Sequence, residues 1–386
     1  MNAVMNTYAR FPVTLVKGQG SRVWDDAGNS YLDFISGIAV NTLGHAHPAM
    51  VSALSKQAGE MLHCSNLFHI PKQQLLAEKL VGLSGLGSVF FCNSGAEANE
   101  AAIKLARKFF HDRDSSRRTV ITATRSFHGR LLSTLTATGQ DKVKVGFDPL
   151  PAGFVHVPLN DIEALKQTIT DQTAAILLEP LQGEGGVNLA HATYLQDVRR
   201  LCDEHGILLM LDEVQTGIGR TGSMFAFEQA GITPDVLTLA KGLGGGVPIG
   251  AMLASEELAT SFGPGTHGST FGGNPLSCAA ALTVLDVIES DSLLENVQVR
   301  SEQLTRGLHE LQQRFPVIQD VRGQGLLVGA GLTIEAGPIV TAARDEGLMI
   351  LMAGPSVLRF LPPLNVSEKE VNEALALLGS VLETFA

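Results

Sequence analysis

Short apolar runs without polar alternation recur through the middle of the chain. They cover residues 88–92, 119–123, 174–178, 207–211 and 236–240. Strands that are buried on both faces have this pattern, because no side chain of such a strand faces water. Segments with helical periodicity lie between the runs, for example at residues 96–110 and 194–204. The alternation predicts an α/β fold, with a mostly parallel sheet covered by helices.

The last part of the chain has a different pattern. Two long helices are predicted at residues 275–290 and 293–315, followed by short segments punctuated by glycine and by a final helix after Ser367. We therefore predict a small α+β domain at residues 277–386 and a large domain at residues 48–276. The N-terminal segment, residues 1–47, is expected to pack with the small domain.

The composition is that of a globular protein with an acidic balance. Of the 386 residues, 45% are hydrophobic and 17% are charged, and the net charge is −11. This charge offers no attraction to nucleic acid or to an anionic membrane, and no apolar run is long enough to cross a bilayer. The sequence does not open like a cleaved signal peptide. Its four cysteines are scattered, as in reduced proteins, so we expect a cytoplasmic protein.

Residues that can carry chemistry follow several of the predicted strands. Ligands of parallel α/β sheets bind at the carboxyl ends of the strands, so a site is expected there. Ser94 and Gly95 follow the first run and open a helix, where the backbone N–H groups and the helix dipole favour an anion such as phosphate. The same two residues are also ordinary helix-capping residues. After the second run, Phe127 and Arg130 offer an aromatic ring and a guanidinium.

Asp212 and Lys241 end two of the most apolar runs. A carboxylate in this position is costly unless it is paired, and a structural ion pair, a metal ion or a protonated pyridine nitrogen would each satisfy Asp212. A partly desolvated lysine has a lowered pKa, and its amine can attack an aldehyde. Together with the phosphate loop and the aromatic ring, these residues predict a pyridoxal 5′-phosphate site in which Lys241 holds the cofactor as a Schiff base.

Two other motifs compete with this interpretation. His45 and His47 flank a single residue, but no third ligand group stands out beside them, so no metal site is expected. The glycine-rich loop after Lys241 lacks the spacing of a dinucleotide fingerprint and the acidic residue that follows one. It is better interpreted as a cofactor loop.

Seven motifs along the chain carry a family resemblance. They are GHAHP at 44–48, NSGAEANE at 93–100, FHGR at 127–130, EPLQGEGG at 179–186, the segment 212–222, KGLG at 241–244 and GSTFGGNP at 268–275. With these motifs the sequence resembles the class III aminotransferases of fold type I, the ornithine and acetylornithine group, over nearly its whole length. The resemblance implies a large domain that binds pyridoxal phosphate, a smaller α+β domain, and a homodimer with shared active sites.

The resemblance also implies how the residues around the cofactor act. Ser94, Gly95 and Ala96 would hold the phosphate. Phe127 would stack on the ring, and Val214 would back it from the other side.

Four further residues would act on the reacting part of the cofactor or from the neighbouring subunit. Asp212 would pair with the ring nitrogen, and Gln215 would approach the ring hydroxyl. Lys241 would form the Schiff base and then move the proton. Thr270 would reach the phosphate of the neighbouring subunit.

Arg130 and Arg359 stand in mostly apolar segments, and a guanidinium binds a carboxylate bidentately. The resemblance implies that Arg359 binds the α-carboxylate of glutamate. Arg130 would bind the far carboxylate of glutamate or the α-carboxylate of an ω-amino substrate. Glu184 would close on Arg359 when the donor has no carboxylate beside the reacting nitrogen, and Ser269 is expected at the substrate site.

The resemblance is greatest to the acetylornithine form, because His128 stands where ornithine aminotransferases usually have tryptophan. The expected reaction converts N-acetylornithine and 2-oxoglutarate to N-acetylglutamate semialdehyde and glutamate, a step of arginine biosynthesis. Ornithine, succinylornithine and acetyl-lysine-type donors stay open. More remote alternatives are an aminomutase, which would not need Arg130, and a binding protein without catalysis, against which the intact Lys241 and Asp212 argue.

Overall fold

The computed structural model describes residues 3–385. Residues 1, 2 and 386, which belong to the first and last predicted domains, lie outside the described residues. The strands are β1 (Leu15–Gln19), β2 (Arg22–Asp25), β3 (Ser30–Asp33), β4 (Ser88–Cys92), β5 (Thr119–Ala123), β6 (Phe154–Val157), β7 (Thr173–Leu178), β8 (Leu181–Gln182), β9 (Asn188–Leu189), β10 (Leu208–Asp212), β11 (Val236–Leu239), β12 (Gly250–Ala254), β13 (Ile318–Gln324), β14 (Leu327–Leu332), β15 (Leu348–Met349), β16 (Leu351–Met352) and β17 (Val357–Phe360).

Helices separate most of these strands. They are α1 (Ser36–Ala39), α2 (Pro48–Glu60), α3 (Pro71–Ser84), α4 (Gly95–His111), α5 (Leu132–Ala137), α6 (Ile162–Thr168), α7 (Ala192–His205), α8 (Phe227–Ala230), α9 (Glu256–Ala259), α10 (Pro275–Ser290), α11 (Leu293–Arg314), α12 (Ala336–Asp345) and α13 (Glu368–Glu383). In the described part of the chain, none of them combines the length and the apolar character that a bilayer span requires.

Seven strands form the central sheet, in the order β4-β12-β11-β10-β7-β5-β6. Strand β12 runs antiparallel to both of its neighbours, and every other pair of adjacent strands is parallel. Strands β4, β5, β7, β10 and β11 agree with the five predicted runs to within one residue at each end. The predicted α/β fold, with a mostly parallel sheet covered by helices, is therefore confirmed.

The apolar runs have no polar alternation because each face of the sheet is covered by its own core. Every residue of β10 is buried. Leu209 and Leu211 belong to the core on one face, whereas Leu208 and Met210 belong to the core on the other. Full burial of such a side chain stabilises the fold by about 1.5–3 kcal/mol, so both faces of β10 favour apolar residues up to its last residue, Asp212.

Strands β6 and β12 were not predicted from the apolar runs. Strand β6 is an edge strand in which only Val157 is buried, so its sequence lacks a continuous apolar run. Strand β12 is buried throughout, but it follows a glycine-rich loop and itself begins with Gly250, which obscures the start of the strand. Only pairing with β4 and β11 identifies this segment as part of the sheet.

The C-terminal part of the chain forms a second, antiparallel sheet in the order β13-β14-β17-β16. Helix α11 packs against α13 and β13, and α12 packs against α13. The N-terminal strands β1, β2 and β3 form a separate sheet, which β15 completes by pairing parallel with β3. The domain boundaries at residues 47 and 276 stay predictions, although this pairing joins the N-terminal segment to the C-terminal part.

Candidate active site

The carboxyl ends of five strands of the central sheet surround one cavity of about 400 Å³. Its walls contain eleven of the residues that the sequence singled out, namely Ser94, Gly95, Ala96, Phe127, His128, Arg130, Glu184, Asp212, Val214, Gln215 and Lys241. Parallel strands bring their carboxyl ends to the same edge, so residues from distant parts of the chain meet there. The sheet topology therefore brings the four local signals that the sequence showed at separate strand ends into one shared site.

The start of helix α4 forms the anion-binding end of the cavity. Ser94 caps the helix, and its hydroxyl oxygen accepts a hydrogen bond from the Glu97 N–H at 3.2 Å. The N–H groups of Gly95 and Ala96 lie in the first turn, where a helix provides no acceptor. A Cβ at Gly95 would lie 2.6 Å from the Val214 Cγ1, so only glycine permits this close approach. The free N–H groups and the helix dipole suit a phosphate.

Asp212 presents a buried carboxylate to the cavity. Its Oδ2 accepts hydrogen bonds from the Asn99 Nδ2 at 2.7 Å and from the His128 Nδ1 at 2.8 Å, and its Oδ1 accepts one from the Val214 N–H at 3.0 Å. Among residues 3–385, no lysine or arginine pairs with this carboxylate. A buried carboxylate without a full positive partner is suited to a cationic ligand group.

Asn99 and Thr238 hold Asp212 in place, and neither was predicted as a site residue. The Thr238 hydroxyl donates to the Asn99 Oδ1 at 2.7 Å, which orients the Asn99 amide so that its Nδ2 faces both Asp212 and the His128 carbonyl. Asn99 is 1% exposed. A buried asparagine on the second turn of an otherwise apolar helix face was the signal that could have identified it.

Lys241 lies on the cavity wall, separated from the end of β11 only by Ala240. Its φ of 41° is in the left-handed region, which few residues other than glycine adopt and which often marks a functional position. Burial lowers the pKa of Lys241, and Arg359 lowers it further, although Glu184 and Asp212 act in the opposite direction. A lowered pKa leaves more of the amine neutral, as a nucleophile requires.

Glu184 and Arg359 form an ion pair at the side of the cavity. The Arg359 Nη1 donates to the Glu184 Oε1 at 2.6 Å and to the Gly183 carbonyl at 2.8 Å. Burial alone would raise the pKa of Glu184, but Arg359 outweighs it and the pKa is lowered. Gln215 contacts both side chains, at 3.5 Å from Glu184 and 3.4 Å from Arg359. The buried Arg359 therefore lies behind Glu184 rather than on the cavity wall.

Arg130 is an exposed residue of the cavity wall. Its guanidinium carbon is 5.7 Å from the centre of the Phe127 ring. Its side chain makes no hydrogen bond or ion pair within residues 3–385, so the guanidinium is available to a ligand. The cavity wall therefore contains one guanidinium without an ion pair, that of Arg130, whereas Arg359 behind the wall is neutralised by Glu184.

Ser269 and Thr270 do not lie in the cavity of their own chain. The Ser269 hydroxyl accepts from the Asn93 Nδ2 at 3.2 Å, behind the anion-binding end, and Thr270 is exposed. Both residues line a separate surface cavity together with Leu131 and Phe271. Within a single chain the structure thus leaves these two predicted residues apart from the others.

Glu179 is a further buried residue of the cavity wall that was not predicted. Its Oε2 accepts a hydrogen bond from the Phe127 N–H at 3.0 Å. Burial, and secondly the charge of Asp212, raise the pKa of Glu179 well above its usual range. Glu179 follows the apolar strand β7, and a carboxylate at the end of an apolar strand is the signal that identified Asp212. Glu179 could therefore have been predicted from the sequence.

The unpaired groups of the cavity match pyridoxal phosphate. Free N–H groups at Gly95 and Ala96 suit its phosphate, the carboxylate of Asp212 suits its protonated ring nitrogen, and the amine of Lys241 suits its aldehyde. No group of three or more potential metal ligands occurs in residues 3–385, and His45 is instead paired with Asp33 at 2.7 Å.

The fold and this site define an enzyme that depends on pyridoxal phosphate. The sequence model of the class III aminotransferases matches residues 3–382, and the chain belongs to this family. As an aminotransferase it uses an amino donor and a keto acid.

Known relatives extend over the whole chain. The chain is 54% identical to the acetylornithine aminotransferase of Caldanaerobacter subterraneus subsp. tengcongensis, over 98% of this chain and 97% of the relative. The N-acetylornithine aminotransferase structure from Stenotrophomonas maltophilia K279a has a TM-score of 0.87 and 42% identity, covering 98% of this chain and 97% of that one. An ornithine aminotransferase structure from Toxoplasma gondii, which has partial occupancy of PLP at its active site, has a TM-score of 0.95 and 33% identity, covering 99% and 92%.

Proposed function

We propose that the enzyme transfers the δ-amino group of N-acetylornithine to 2-oxoglutarate, giving N-acetylglutamate semialdehyde and glutamate in arginine biosynthesis. The names of the relatives that match this chain over almost its full length support this donor. The observation that carries the proposal is the 2.6 Å pair between Glu184 and Arg359 beside the reacting end of the cavity. It allows one site to accept two unlike donors.

The two donors place different charges beside the reacting nitrogen. Glutamate reacts at its α-carbon, so a carboxylate lies next to that nitrogen and requires Arg359. Acetylornithine reacts at its δ-carbon, where its chain is apolar, and an open Arg359 would face this chain with an uncompensated charge. Glu184 neutralises Arg359 for acetylornithine and swings aside for glutamate. Arg130, which makes no hydrogen bond or ion pair among the described residues, binds the carboxylate at the other end of either substrate.

Each part of the cavity wall has a task in holding the cofactor. The loop of Ser94, Gly95 and Ala96 binds the phosphate, because its N–H groups lack acceptors within the helix. Phe127 and Val214 pack on the two faces of the ring and exclude water from it.

Asp212, Gln215 and Lys241 act on the ring and on the proton. Pyridoxal phosphate supplies an aldehyde that accepts the amino group and a protonated ring that withdraws electrons. Asp212 holds the proton on the ring nitrogen, with its carboxylate oriented by Asn99. Gln215 approaches the ring hydroxyl. The amine of Lys241, kept partly neutral by burial, would attach the cofactor through its aldehyde and then move the proton from the amino-bearing carbon of the substrate to the former aldehyde carbon of the cofactor.

The active unit that we propose is a homodimer in which Thr270 and Ser269 contribute to the site of the neighbouring subunit. Large apolar side chains are exposed around these two residues. Leu67 is 88% exposed and Phe271 is 59% exposed. Their two segments are in contact, because the Asn66 amide donates to the Ser269 carbonyl at 3.0 Å. An exposed apolar patch of this kind is typical of a subunit interface.

We also propose that the enzyme acts in the cytoplasm. All four cysteines are free, and three of them are buried. Burial raises the pKa of Cys92 to about 12, which keeps this thiol protonated and unreactive. Free cysteines are ordinary in a reducing compartment.

A panel of amino donors tests the proposed substrate. N-acetylornithine, N-succinylornithine, ornithine and N-acetyl-lysine are each combined with 2-oxoglutarate, and kcat/KM is measured from glutamate formation. We expect N-acetylornithine to have the highest kcat/KM of the four. A higher value for ornithine would contradict the proposal, and a higher value for N-succinylornithine would reassign the donor within the same mechanism.

A further inference from the structure

Glu184 lies between two cavities. One is the active-site cavity, and the other is a cavity of about 540 Å³ on the far side of the Glu184 loop. Arg125 and Lys142 line this second cavity, together with Arg322. A side chain that leaves Arg359 can therefore move into open space rather than into packed protein.

The backbone on the C-terminal side of Glu184 is held by side-chain hydrogen bonds. The Asn188 Nδ2 donates to the Gly185 carbonyl at 2.9 Å, and the guanidinium of Arg322 donates to the Gly186 carbonyl at 2.8 and 3.0 Å. Because this loop is fastened immediately after Glu184, the carboxylate leaves Arg359 by rotation of its own side-chain torsions. This rotation would move the Glu184 carboxylate from the active-site cavity into the second cavity.

Arg125 lies against Gly185, the residue of this loop that follows Glu184. A Cβ built on Gly185 would lie 3.0 Å from the Arg125 Cβ and 2.3 Å from its carbonyl oxygen, so the two backbones are in direct contact. Arg125 has a φ of 63°, which is unusual for arginine, and its N–H donates to the Gly139 carbonyl at 2.7 Å. Its side chain makes no hydrogen bond or ion pair with any other described residue. Arg125 thus lies on the wall of the second cavity, with its backbone and Cβ beside the residue that follows Glu184 and its guanidinium without a hydrogen bond or ion pair among the described residues.

We propose that Arg125 receives the carboxylate of Glu184 when Glu184 leaves Arg359, and that Arg125 is thereby a positioning residue for the glutamate half-reaction. Glutamate and 2-oxoglutarate require Arg359 for their own α-carboxylate, so Glu184 needs another positive partner in that state. Arg322 already pairs with Asp320, so Arg125 and Lys142 are the basic residues of this cavity without an ion pair among the described residues, and Arg125 is the one in contact with Gly185. This inference rests on the switch of Glu184 in the proposed function.

The test compares Arg125→Gln with the wild-type holoenzyme in two single-turnover half-reactions, followed by the absorbance of the bound cofactor. Loss of a partly exposed ion pair predicts that the glutamate half-reaction slows by about fivefold, whereas the acetylornithine half-reaction is unchanged. Glutarate, a dicarboxylate without an amine, is expected to bind about fivefold more weakly by calorimetry. Arg125→Lys is expected to restore most of both losses. Equal slowing of both half-reactions, or of neither, overturns the proposal.

Two controls separate this role from a general electrostatic effect. Lys142→Gln removes a positive charge from the same cavity and is expected to leave both half-reactions unchanged; if it reproduces the effect of Arg125→Gln, the specific role of Arg125 is wrong. In a Glu184→Ala background, Arg125→Gln is expected to have no further effect on glutarate binding, and a persisting effect overturns the role. If acetylornithine fails as a donor in the wild type, the proposed substrate is wrong, whereas the glutamate and glutarate measurements still decide the role of Arg125.

Discussion

Replacing Glu184 by alanine is expected to separate the two half-reactions of this enzyme. The Arg359 side chain is 2% exposed, and Glu184 is its only charged partner among residues 3–385. Alanine would leave Arg359 with only neutral acceptors, the Gly183 carbonyl and the Gln215 amide. The donor that presents an apolar chain to Arg359 is therefore expected to react more slowly.

The magnitude follows from the burial of the pair. A hydrogen bond to a charged group contributes about 1.5–3 kcal/mol. The Glu184 side chain is 32% exposed, so water weakens the pair and the lower end of this range applies. About 1.5 kcal/mol corresponds to roughly a tenfold loss of rate in the acetylornithine half-reaction. Glutamate has to displace Glu184 from Arg359, so the glutamate half-reaction is expected to be unchanged or faster.

Single-turnover absorbance of the bound cofactor measures both rates on one preparation. The ratio of the glutamate rate to the acetylornithine rate is expected to rise by about tenfold or more in Glu184→Ala. Glu163→Ala, which removes an exposed glutamate from helix α6, is the matched control and is expected to leave the ratio unchanged. Equal losses for both donors, or no loss for either, would remove Glu184 from the mechanism.

Further predictions concern the amine, the buried carboxylate, the interface and acid stability. Lys241→Ala is expected to abolish steady-state turnover while phosphate still binds, because the anion site is formed by helix α4; normal turnover would refute the assignment of Lys241. Asp212→Asn is expected to lower kcat by about a hundredfold or more, and an unchanged kcat would make Asp212 purely structural. Phe271→Asp is expected to yield inactive monomers in sedimentation, whereas Val299→Asp, at another exposed apolar position, should not. The pKa of Glu184 is lowered in the folded protein, so its ion pair stabilises the fold above the unfolded pKa, and this stabilisation is lost as the pH falls through the folded pKa. In Glu184→Gln, the melting temperature measured from about pH 6 to about pH 3 should therefore fall less steeply than in the wild type.

Local sequence patterns determined five of the seven central strands and the approximate ends of the main helices. Burial on both faces of a parallel sheet removes polar alternation, so strands such as β7 and β10 are visible as unbroken apolar runs. Helix α4 is equally visible, because Ser94 caps it and the acidic Glu97 lies in its first turn. Lys241 and Asp212 were identified for the same reason, since a charged residue directly after such a run has no ordinary explanation.

The family resemblance implied that these residues act together, but only the tertiary structure brings them into contact. Glu184 and Arg359 are 175 residues apart, and only the docking of β17 against the Glu184 loop brings their charges to 2.6 Å. The hydrogen bonds that orient Asp212 also join distant segments, from helix α4 and from the loop after β5. Apolar periodicity depends on the burial of each position, so it can be recognised in the local sequence. The pairing of charges depends on how distant segments pack in three dimensions, and the local sequence of one segment does not indicate its partner.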